Sequence, residues 1–197
     1  MKLKENSDLV FAGVDIEATS ADLEAGGRIC QIGVCLEPGS GFVSDIGWSD
    51  SYYTWEAKAL EVNGFTLERI EAGPPPEDVD RELYVWLTDQ GIQERRLVAV
   101  GFNVASFDAP FIKHALPRSW SLFARRSVDL NAVCFTYGSC KLYSGGAMLW
   151  STWKRWAKRT ANERLQAQYG VATHEHDALF DAQQALVAWQ WLREQIS

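Results

Sequence analysis

The first patterned stretch of the sequence is Leu9-Val-Phe-Ala-Gly-Val-Asp-Ile-Glu-Ala-Thr19. Its apolar part, residues 9–14, predicts a strand that ends at Asp15. After the turn at Gly26 and Gly27, residues 28–36 form a second strand candidate. We expect these two strands to pair antiparallel.

Working outward, residues 47–54 form a third strand candidate and the apolar run 97–102 a fourth. The fourth is compact and follows a helix, so it suits a parallel position in the sheet. Apolar residues at helical spacing predict helices at 66–72, 77–90, 108–117, 147–168 and 178–195. The last helix has a predicted buried stripe of Ala178, Ala182, Ala185, Leu186, Trp189 and Leu192. This order of elements predicts an α/β fold, a mixed sheet covered by helices.

The composition predicts one globular domain over residues 1–197. Of the 197 residues, 47% are hydrophobic and 23% are charged, which excludes the disordered and fibrous classes. No stretch approaches the roughly 18 apolar residues of a membrane span, and the first eight residues are polar. We therefore expect a cytoplasmic protein without a membrane partner.

The chain is acidic, with 26 Asp and Glu against 19 Lys and Arg and a formal net charge of -7. Proteins that grip nucleic acid broadly, without regard to its sequence, are normally basic. A phosphate-bearing substrate must therefore be held locally. An acidic cluster that recruits metal ions is the feature to look for.

The four cysteines, Cys30, Cys35, Cys134 and Cys140, form no Cys-x-x-Cys pair. Free thiols in a reducing compartment are the simplest interpretation. A zinc site could be built from Cys134, Cys140, His174 and His176, but the close pairing of cysteine ligands that is typical of zinc sites is missing.

Asp15 and Glu17 form the first of three acidic sites. Side chains alternate along a strand, so the two carboxylates share a face, about 7 Å apart along the backbone. With nothing basic between them they repel each other unless cations neutralise them, which favours a divalent metal site. A solvated strand end is the alternative, and it is the commoner case for an isolated Asp-x-Glu.

Asp108 forms the second site, where the strand at 97–102 passes into a helix. Asp108 precedes Pro110, so it could simply cap a helix that has proline in its first turn. The alternative is a ligand-binding role, because open α/β sheets place their ligands beyond the carboxyl ends of the strands.

His176 and Asp181 form the third site. Asp181 borders the apolar stripe of the last helix, so its carboxylate points toward the protein, where a metal or another partner is expected. His176 lies five positions earlier, and we expect it in the loop at the helix entrance, turned toward the site. An ordinary surface histidine is the alternative, and His174 and Asp177 remain competitors.

In this order the three sites resemble the motifs of the DEDD exonuclease superfamily in its histidine branch, the group of DnaQ-like proofreading exonucleases, ribonuclease T and oligoribonuclease. Residues 15–19 are similar to the motif D-x-E with Thr nearby, residues 103–108 to N-x-x-x-F-D, and residues 176–182 to H-x-x-x-x-D-A. The resemblance spans about residues 8–195 and implies a ribonuclease H-like sheet of three antiparallel strands followed by parallel strands. Residues 37–60 do not align with that pattern.

The resemblance implies a metal-dependent 3′–5′ exonuclease that releases nucleoside 5′-monophosphates from DNA or RNA. Two Mg²⁺ or Mn²⁺ ions would be held by four carboxylates, those of Asp15, Glu17, Asp108 and Asp181. His176 would act as the general base. The expected substrate-binding residues are Thr19, Asn103 and Phe107.

Aromatic and basic residues are further candidates for binding a strand. Phe107 is the first candidate for stacking on a base, with Phe11 and Phe65 behind it, although a place in the core is the commoner role for any single ring. Core packing is also the expected role of Met148, Trp150, Trp153 and Trp156. A solvated helix face is the favoured interpretation of Lys154, Arg155, Lys158 and Arg159.

The expected partner is a nucleic acid with a free 3′ end, most simply a single strand. Only four residues, 194–197, follow the body of the last predicted helix, so we expect no obligate polymerase partner, and a homodimer stays open. Two other functions compete with the exonuclease: a catalytically silent binding module on the same fold, and a two-metal phosphodiesterase of small nucleotides.

Overall fold

The computed structural model describes residues 9–49, 53–142, 150–172 and 176–196. In these residues the strands are β1 (Val10–Ala18), β2 (Ile29–Cys35), β3 (Phe42–Asp45), β4 (Leu97–Gly101) and β5 (Val128–Asp129). The helices are α1 (Ala57–Asn63), α2 (Leu67–Ala72), α3 (Pro76–Asp89), α4 (Asp108–Ala115), α5 (Pro117–Trp120), α6 (Leu130–Leu142), α7 (Trp150–Tyr169) and α8 (Ala178–Ile196).

The five strands form one mixed sheet in the order β3-β2-β1-β4-β5. The first three strands are antiparallel neighbours, whereas β4 and β5 continue the sheet in parallel pairing. The predicted α/β class, three antiparallel strands followed by parallel strands, is therefore confirmed.

The third strand was wrongly predicted, because the strand is β3 and not residues 47–54. β3 follows the glycines Gly39 and Gly41 and has only four residues, so its apolar pattern is too short to stand out. Immediately after β3 the Ile46 N–H still donates to the Cys30 carbonyl, but the Gly47 N–H donates to Pro74, outside the sheet. The segments α1, α5, β5 and α6 were not predicted, and the other helices were.

β1 is longer than its apolar run suggests, and this extension positions the site. β1 pairs with β2 as far as Ala18 but with β4 only from Val10 to Gly13. Asp15 and Glu17 therefore lie inside a strand, which corrects the expectation that it ends at Asp15. Beyond Gly13, the edge of β1 that faces β4 is open.

Helix α8 packs very closely on β1 and β2. The glycines Gly13 and Gly33 make this approach feasible, because a Cβ on either would overlap the backbone of α8, at Ala182 and Ala178 respectively. The predicted stripe is confirmed: Trp189 is half-buried and the other five residues are buried. Gly13, Asp15 and Glu17 share one face of β1, so both acidic side chains lie on the side of the sheet that α8 covers.

Apolar cores fill both sides of the sheet. Val14, Ile16 and Ile32 pack with α3 and α4 on one side, and Val100 packs with α6, α7 and α8 on the other. Among the described side chains, the free thiols of Cys30, Cys35 and Cys134 are buried, and the Cys140 side chain lies outside this part of the chain. In the described part of the chain, no helix combines the length and apolar character needed to cross a membrane.

Candidate active site

The three acidic sites of the sequence line one cavity of about 450 Å³. β1 contributes Asp15 and Glu17, and α8 contributes Asp181 from its first turn. Asp108 comes from the start of α4, and His176 lies in the turn before α8. Residues from three distant parts of the chain thus share a cavity whose size is typical of ligand sites.

The Asp108 carboxylate is bonded to β1. Its Oδ1 accepts a hydrogen bond from the backbone N–H of Ile16 at 3.1 Å, on the part of β1 that extends beyond β4. Phe107, the N-cap residue of α4, provides no side-chain cap. Asp108 therefore satisfies a buried N–H between Asp15 and Glu17, and this bond fixes it beside both carboxylates.

His176 and Asp181 are joined at the entrance of α8. The His176 backbone has φ 62, a left-handed conformation in which histidine is enriched among non-glycine residues. Its N–H donates to Asp181 Oδ2 at 3.1 Å. The ligand atoms of Glu17, His176 and Asp181 all lie within 4.8 Å of one another.

Asp177 and His174 are the alternatives to Asp181 and His176 that the sequence left open. Asp177 Oδ1 accepts a hydrogen bond from the Phe180 N–H at 3.0 Å, which is the bonding of a helix cap. His174 lies outside the described residues. Gln31 Oε1 accepts from the Ala178 N–H at 2.9 Å and ties the start of α8 to β2.

Burial and the charges of nearby carboxylates raise the pKa values of three site carboxyls. For Asp15 the pKa is well above its usual value, first through burial and then through the charges of Asp108, Asp181 and Glu17. Burial, followed by the charges of Asp181 and Asp108, raises the pKa of Glu17 to about 7. For Asp108 burial raises the pKa to about 7, against the opposing effect of backbone hydrogen bonds that include the Ile16 N–H.

This donor set fits hard divalent cations. Carboxylate oxygens are the ligands that Mg²⁺ and Mn²⁺ prefer, and no thiol lines the cavity among the described residues. The repulsion that raises these pKa values is what bound cations would remove. Cys134, one ligand of the zinc alternative, is instead buried in the apolar core around α7.

Two of the three expected substrate-binding residues reach the cavity. Asn103 and Phe107 line it, on the loop between β4 and α4. Asn103 has φ 74, a conformation that asparagine tolerates, and its Oδ1 accepts from the Ser106 hydroxyl at 2.7 Å. Phe107 packs on Phe111 with the two rings tilted by 52° and their centroids 5.3 Å apart.

Thr19 does not reach the cavity, which corrects its expected role in substrate binding. Its side chain is fully buried. The hydroxyl donates to the Thr54 carbonyl at 2.7 Å and accepts from the Arg28 N–H at 2.9 Å, so it fixes two loops. Phe11 and Phe65 also lie elsewhere, in apolar packing around Trp189 and Ile70.

The basic group on α7 was only partly interpreted correctly. Arg155 and Arg159 are exposed, as a solvated helix face requires, but Lys154 and Lys158 line the cavity. Of the aromatic residues expected in the core, Trp153 is buried whereas Trp156 is 45% exposed. The side chain of Trp150 and all of Met148 lie outside the described residues.

Three cavity residues carry no motif and were missed by the sequence analysis: Phe102, Asn162 and Gln184. Gln184 follows Asp181 by three positions, so helical spacing alone would have placed it on the same face of α8. Asn162 follows Lys158 by four positions, so helical spacing also places these two residues on the same face of α7. Phe102 directly follows β4, at the end of the strand that reaches the cavity.

No protein-family model matches the chain, and no curated protein matches its sequence. Solved structures do match. Cell-death related nuclease 4 (CRN-4) is 15% identical, with a TM-score of 0.64 over 95% of this chain. The nuclease domain of 3′hExo, a DEDDh family member bound to rAMP, is 15% identical, with a TM-score of 0.60 over 93% of this chain. E. coli exonuclease I in complex with a dT13 oligonucleotide is 16% identical, with a TM-score of 0.60 over 93% of this chain.

These likenesses establish the fold. The chain has the ribonuclease H-like architecture of DEDDh 3′–5′ exonucleases, as the resemblance of its motifs implies. It covers 92% of the 3′hExo nuclease domain, but 65% of the length of CRN-4 and 40% of that of exonuclease I.

Proposed function

We propose that this protein is a metal-dependent 3′–5′ exonuclease that removes nucleoside 5′-monophosphates from the 3′ end of a nucleic acid strand. The observation that carries this proposal is the convergence of four carboxylates and His176 on one cavity. Burial and repulsion raise the pKa of three of these carboxyls, so the cluster is costly without cations. A merely structural role would not require that cost.

The four carboxylates would hold two divalent ions, Mg²⁺ or Mn²⁺. Such ions, when bound, activate a water and stabilise the charge that develops on the cleaved phosphate. Asp108 keeps one carboxylate oxygen on the Ile16 N–H and lines the cavity. The Asp181 carboxylate is oriented by the His176 N–H.

His176 takes the proton from the attacking water. Its ring is exposed at the cavity and lies near Glu17 and Asp181, so it reaches the site while remaining in contact with solvent. Imidazole is the side chain whose ordinary proton affinity suits general base catalysis near neutral pH. Phe107 lines the cavity from the loop between β4 and α4, and its ring offers a surface on which the terminal base could stack.

The structural neighbours support a nucleic acid strand as the substrate class. E. coli exonuclease I was solved with single-stranded dT13 and dA16 oligonucleotides, and the 3′hExo nuclease domain with rAMP. A third neighbour, a 3′-exonuclease 15% identical to this chain, recognises a histone mRNA stem-loop. We propose single-stranded DNA or RNA with a free 3′ end.

The test is degradation of a 5′-labelled oligonucleotide with Mg²⁺, with Mn²⁺ and with EDTA. We expect a ladder of products shortened from the 3′ end, release of nucleoside 5′-monophosphates, and no reaction in EDTA. An oligonucleotide with a 3′-terminal phosphate serves as the control for attack from a free 3′ end. Asp15→Asn and Asp181→Asn should abolish the ladder, whereas Asp89→Asn, at the exposed end of α3, should not.

The same experiment separates the alternatives. Binding of the oligonucleotide without hydrolysis in either metal would indicate a silent binding module. Hydrolysis of thymidine 5′-monophosphate p-nitrophenyl ester, with the oligonucleotide left intact, would indicate a phosphodiesterase of small nucleotides. Internal cleavage products would contradict the exonuclease proposal.

A further inference from the structure

Lys154 and Lys158 form a cationic wall of the cavity. They lie one turn apart on α7, and both ammonium groups lie over the ring of Phe102, 5.3 Å and 4.9 Å from its centroid. The charge of Lys158 acts on Asp15 and lowers its pKa, against the larger effects that raise it. The two lysines are therefore part of the same electrostatic site as the carboxylates.

These lysines are not structural ion pairs. Within the described ranges, no carboxylate lies at ion-pair distance from either ammonium group, whereas the neighbouring Arg159 and Arg164 pair with Glu163 and Glu194. Lys154 is half-buried, and burial is the largest cause that lowers its pKa. Burying part of a cation that has no close ion pair is unfavourable, and a ligand that supplies negative charge at short range would offset this cost.

A buried amide extends this wall. Gln184 is 3% exposed, and its Nε2 donates to Asn162 Oδ1 at 2.6 Å. Among the described residues, its Oε1 has no hydrogen-bond partner. Lys154, Lys158 and Asn162 follow one another at intervals of four residues, so one face of α7 presents two cations and an amide to the cavity.

Charge balance indicates what the wall binds. Two divalent ions would balance the charge of the four carboxylates, so the metal site would have no net positive charge to offset the other phosphates of a bound strand. Apart from His176, Lys154 and Lys158 are the cationic residues that line this cavity in the described part of the chain. A substrate with more than one phosphate would find its remaining compensation there.

We propose that Lys154 and Lys158 bind a second backbone phosphate of the strand, other than the one that is cleaved, and so select polynucleotides over small phosphodiesters. This inference rests on the proposed function and deepens it. The Phe102 ring holds the two ammonium groups side by side through cation–π contacts, so the wall is arranged before the strand arrives.

The first test measures binding and does not depend on catalysis. Fluorescence anisotropy of 5′-labelled dT12 and rU12, with Ca²⁺ in place of Mg²⁺, gives Kd at several salt concentrations. The Lys154→Met/Lys158→Met variant should raise Kd by about tenfold or more, since two charged contacts are lost. The slope of log Kd against log salt should fall by about 0.7, the value for the loss of one phosphate contact with a single strand.

The matched control is Arg155→Met/Arg159→Met, which removes the same charge from the exposed face of the same helix. It should change Kd by less than about twofold. Lys154→Arg/Lys158→Arg keeps the charge and should keep most of the salt slope. If the methionine pair does not fold, Lys158→Gln alone should give about half of the change in slope.

The second test compares substrates. The ratio of kcat/KM for dT12 to that for thymidine 5′-monophosphate p-nitrophenyl ester should fall about tenfold in the lysine pair variant. An unchanged Kd and ratio, or an equal loss in the arginine pair, would overturn the lysine assignment and leave the nuclease proposal intact. Oligonucleotide binding that depends on the lysines, with no hydrolysis of either substrate, would overturn the nuclease proposal alone.

Discussion

The Asp108 carboxylate and the Ile16 backbone N–H are bonded at 3.1 Å, and this bond replaces a missing strand neighbour. β4 pairs with β1 only as far as Gly13, so the backbone of β1 between Asp15 and Glu17 needs another acceptor on that edge. Asp108, only 2% exposed, provides it. One side chain therefore completes the sheet and carries a charge of the candidate metal site.

Asp108→Ala should destabilise the metal-free protein. It relieves carboxylate repulsion, but it leaves the buried Ile16 N–H unsatisfied, which costs about 1–3 kcal/mol. Asp15→Ala relieves repulsion without breaking any such bond, so its free energy of unfolding should be unchanged or higher. Urea unfolding of the two variants in EDTA measures this difference.

Asp108→Asn is the control, because its amide oxygen still accepts the hydrogen bond. It should retain most of the stability of the wild-type protein and lose nuclease activity as completely as Asp108→Ala. Equal stability of Asp108→Ala and Asp15→Ala would show that the bond to Ile16 contributes nothing.

The stability of the metal-free protein should fall as the pH rises from about 5 to about 8. The pKa of Glu17 is raised from 4.5 to about 7 and that of Asp108 from 3.8 to about 7, so the folded state keeps protons that the unfolded chain has released. A raised carboxyl pKa stabilises the folded state below the unfolded value, and this contribution is lost as the pH passes the folded value. Each full pKa unit corresponds to about 1.4 kcal/mol.

Thermal unfolding in EDTA and in Mn²⁺ measures this dependence. Mn²⁺ should raise Tm more at about pH 8 than at about pH 5, because protons compete with the cation for the carboxylates. Glu17→Gln should flatten the pH dependence in EDTA. A Tm in EDTA that rises over this range would contradict the assignment of raised pKa values.

The fold class was predictable because its signals are local. β1, β2 and β4 are apolar runs. In α8, each residue of the predicted stripe from Ala178 to Leu192 is buried or half-buried. β3 was misplaced because it has only four residues. So short a segment shows almost no alternation of apolar and polar residues. α6 was missed because the apolar residues in its sequence do not concentrate on one side of a helix.

The site was predictable where motifs mark it and not where only packing does. Asp15 and Glu17 share a face through strand alternation, which the sequence states directly. Lys154 and Arg155 are neighbours in the sequence and carry the same charge. Only the packing of α7 against α8 decides that Lys154 faces the cavity. Thr19 belongs to the first motif, yet its hydroxyl is used by Thr54 and Arg28, contacts that no pattern reveals.

Gly33→Ala should impair both stability and activity. The new Cβ would overlap the backbone of Ala178, so α8 must move, and Asp181 moves with it. We expect a loss of about 1–3 kcal/mol in the free energy of unfolding, as for other overpacked sites. At a temperature where the variant is fully folded, kcat should still be reduced.

Ile32→Val is the matched control, on the adjacent residue of β2 and the opposite face of the sheet. It should cost about 0.5–1.5 kcal/mol and leave kcat close to that of the wild-type protein. If the two variants lose activity only in proportion to their stability, α8 does not position Asp181 through this contact.

The last prediction concerns His176, whose N–H is bonded to Asp181 and whose ring is exposed beside Glu17 and Asp181. His176→Ala should lower kcat by about 10² to 10⁴, the usual loss when general acid–base assistance is removed. Binding of Mn²⁺, measured by the rise in Tm, should stay close to that of the wild-type protein because the four carboxylates and the backbone N–H of residue 176 remain. Raising the pH should restore part of the activity, because at higher pH the attacking water loses its proton more readily even without a general base.

His114→Ala, on the exposed face of α4, and His174→Ala, two residues before His176, are the controls and should retain most of the activity. A loss at His174 that equals or exceeds the loss at His176 would mean that the wrong histidine has been assigned and that the third motif has been misinterpreted.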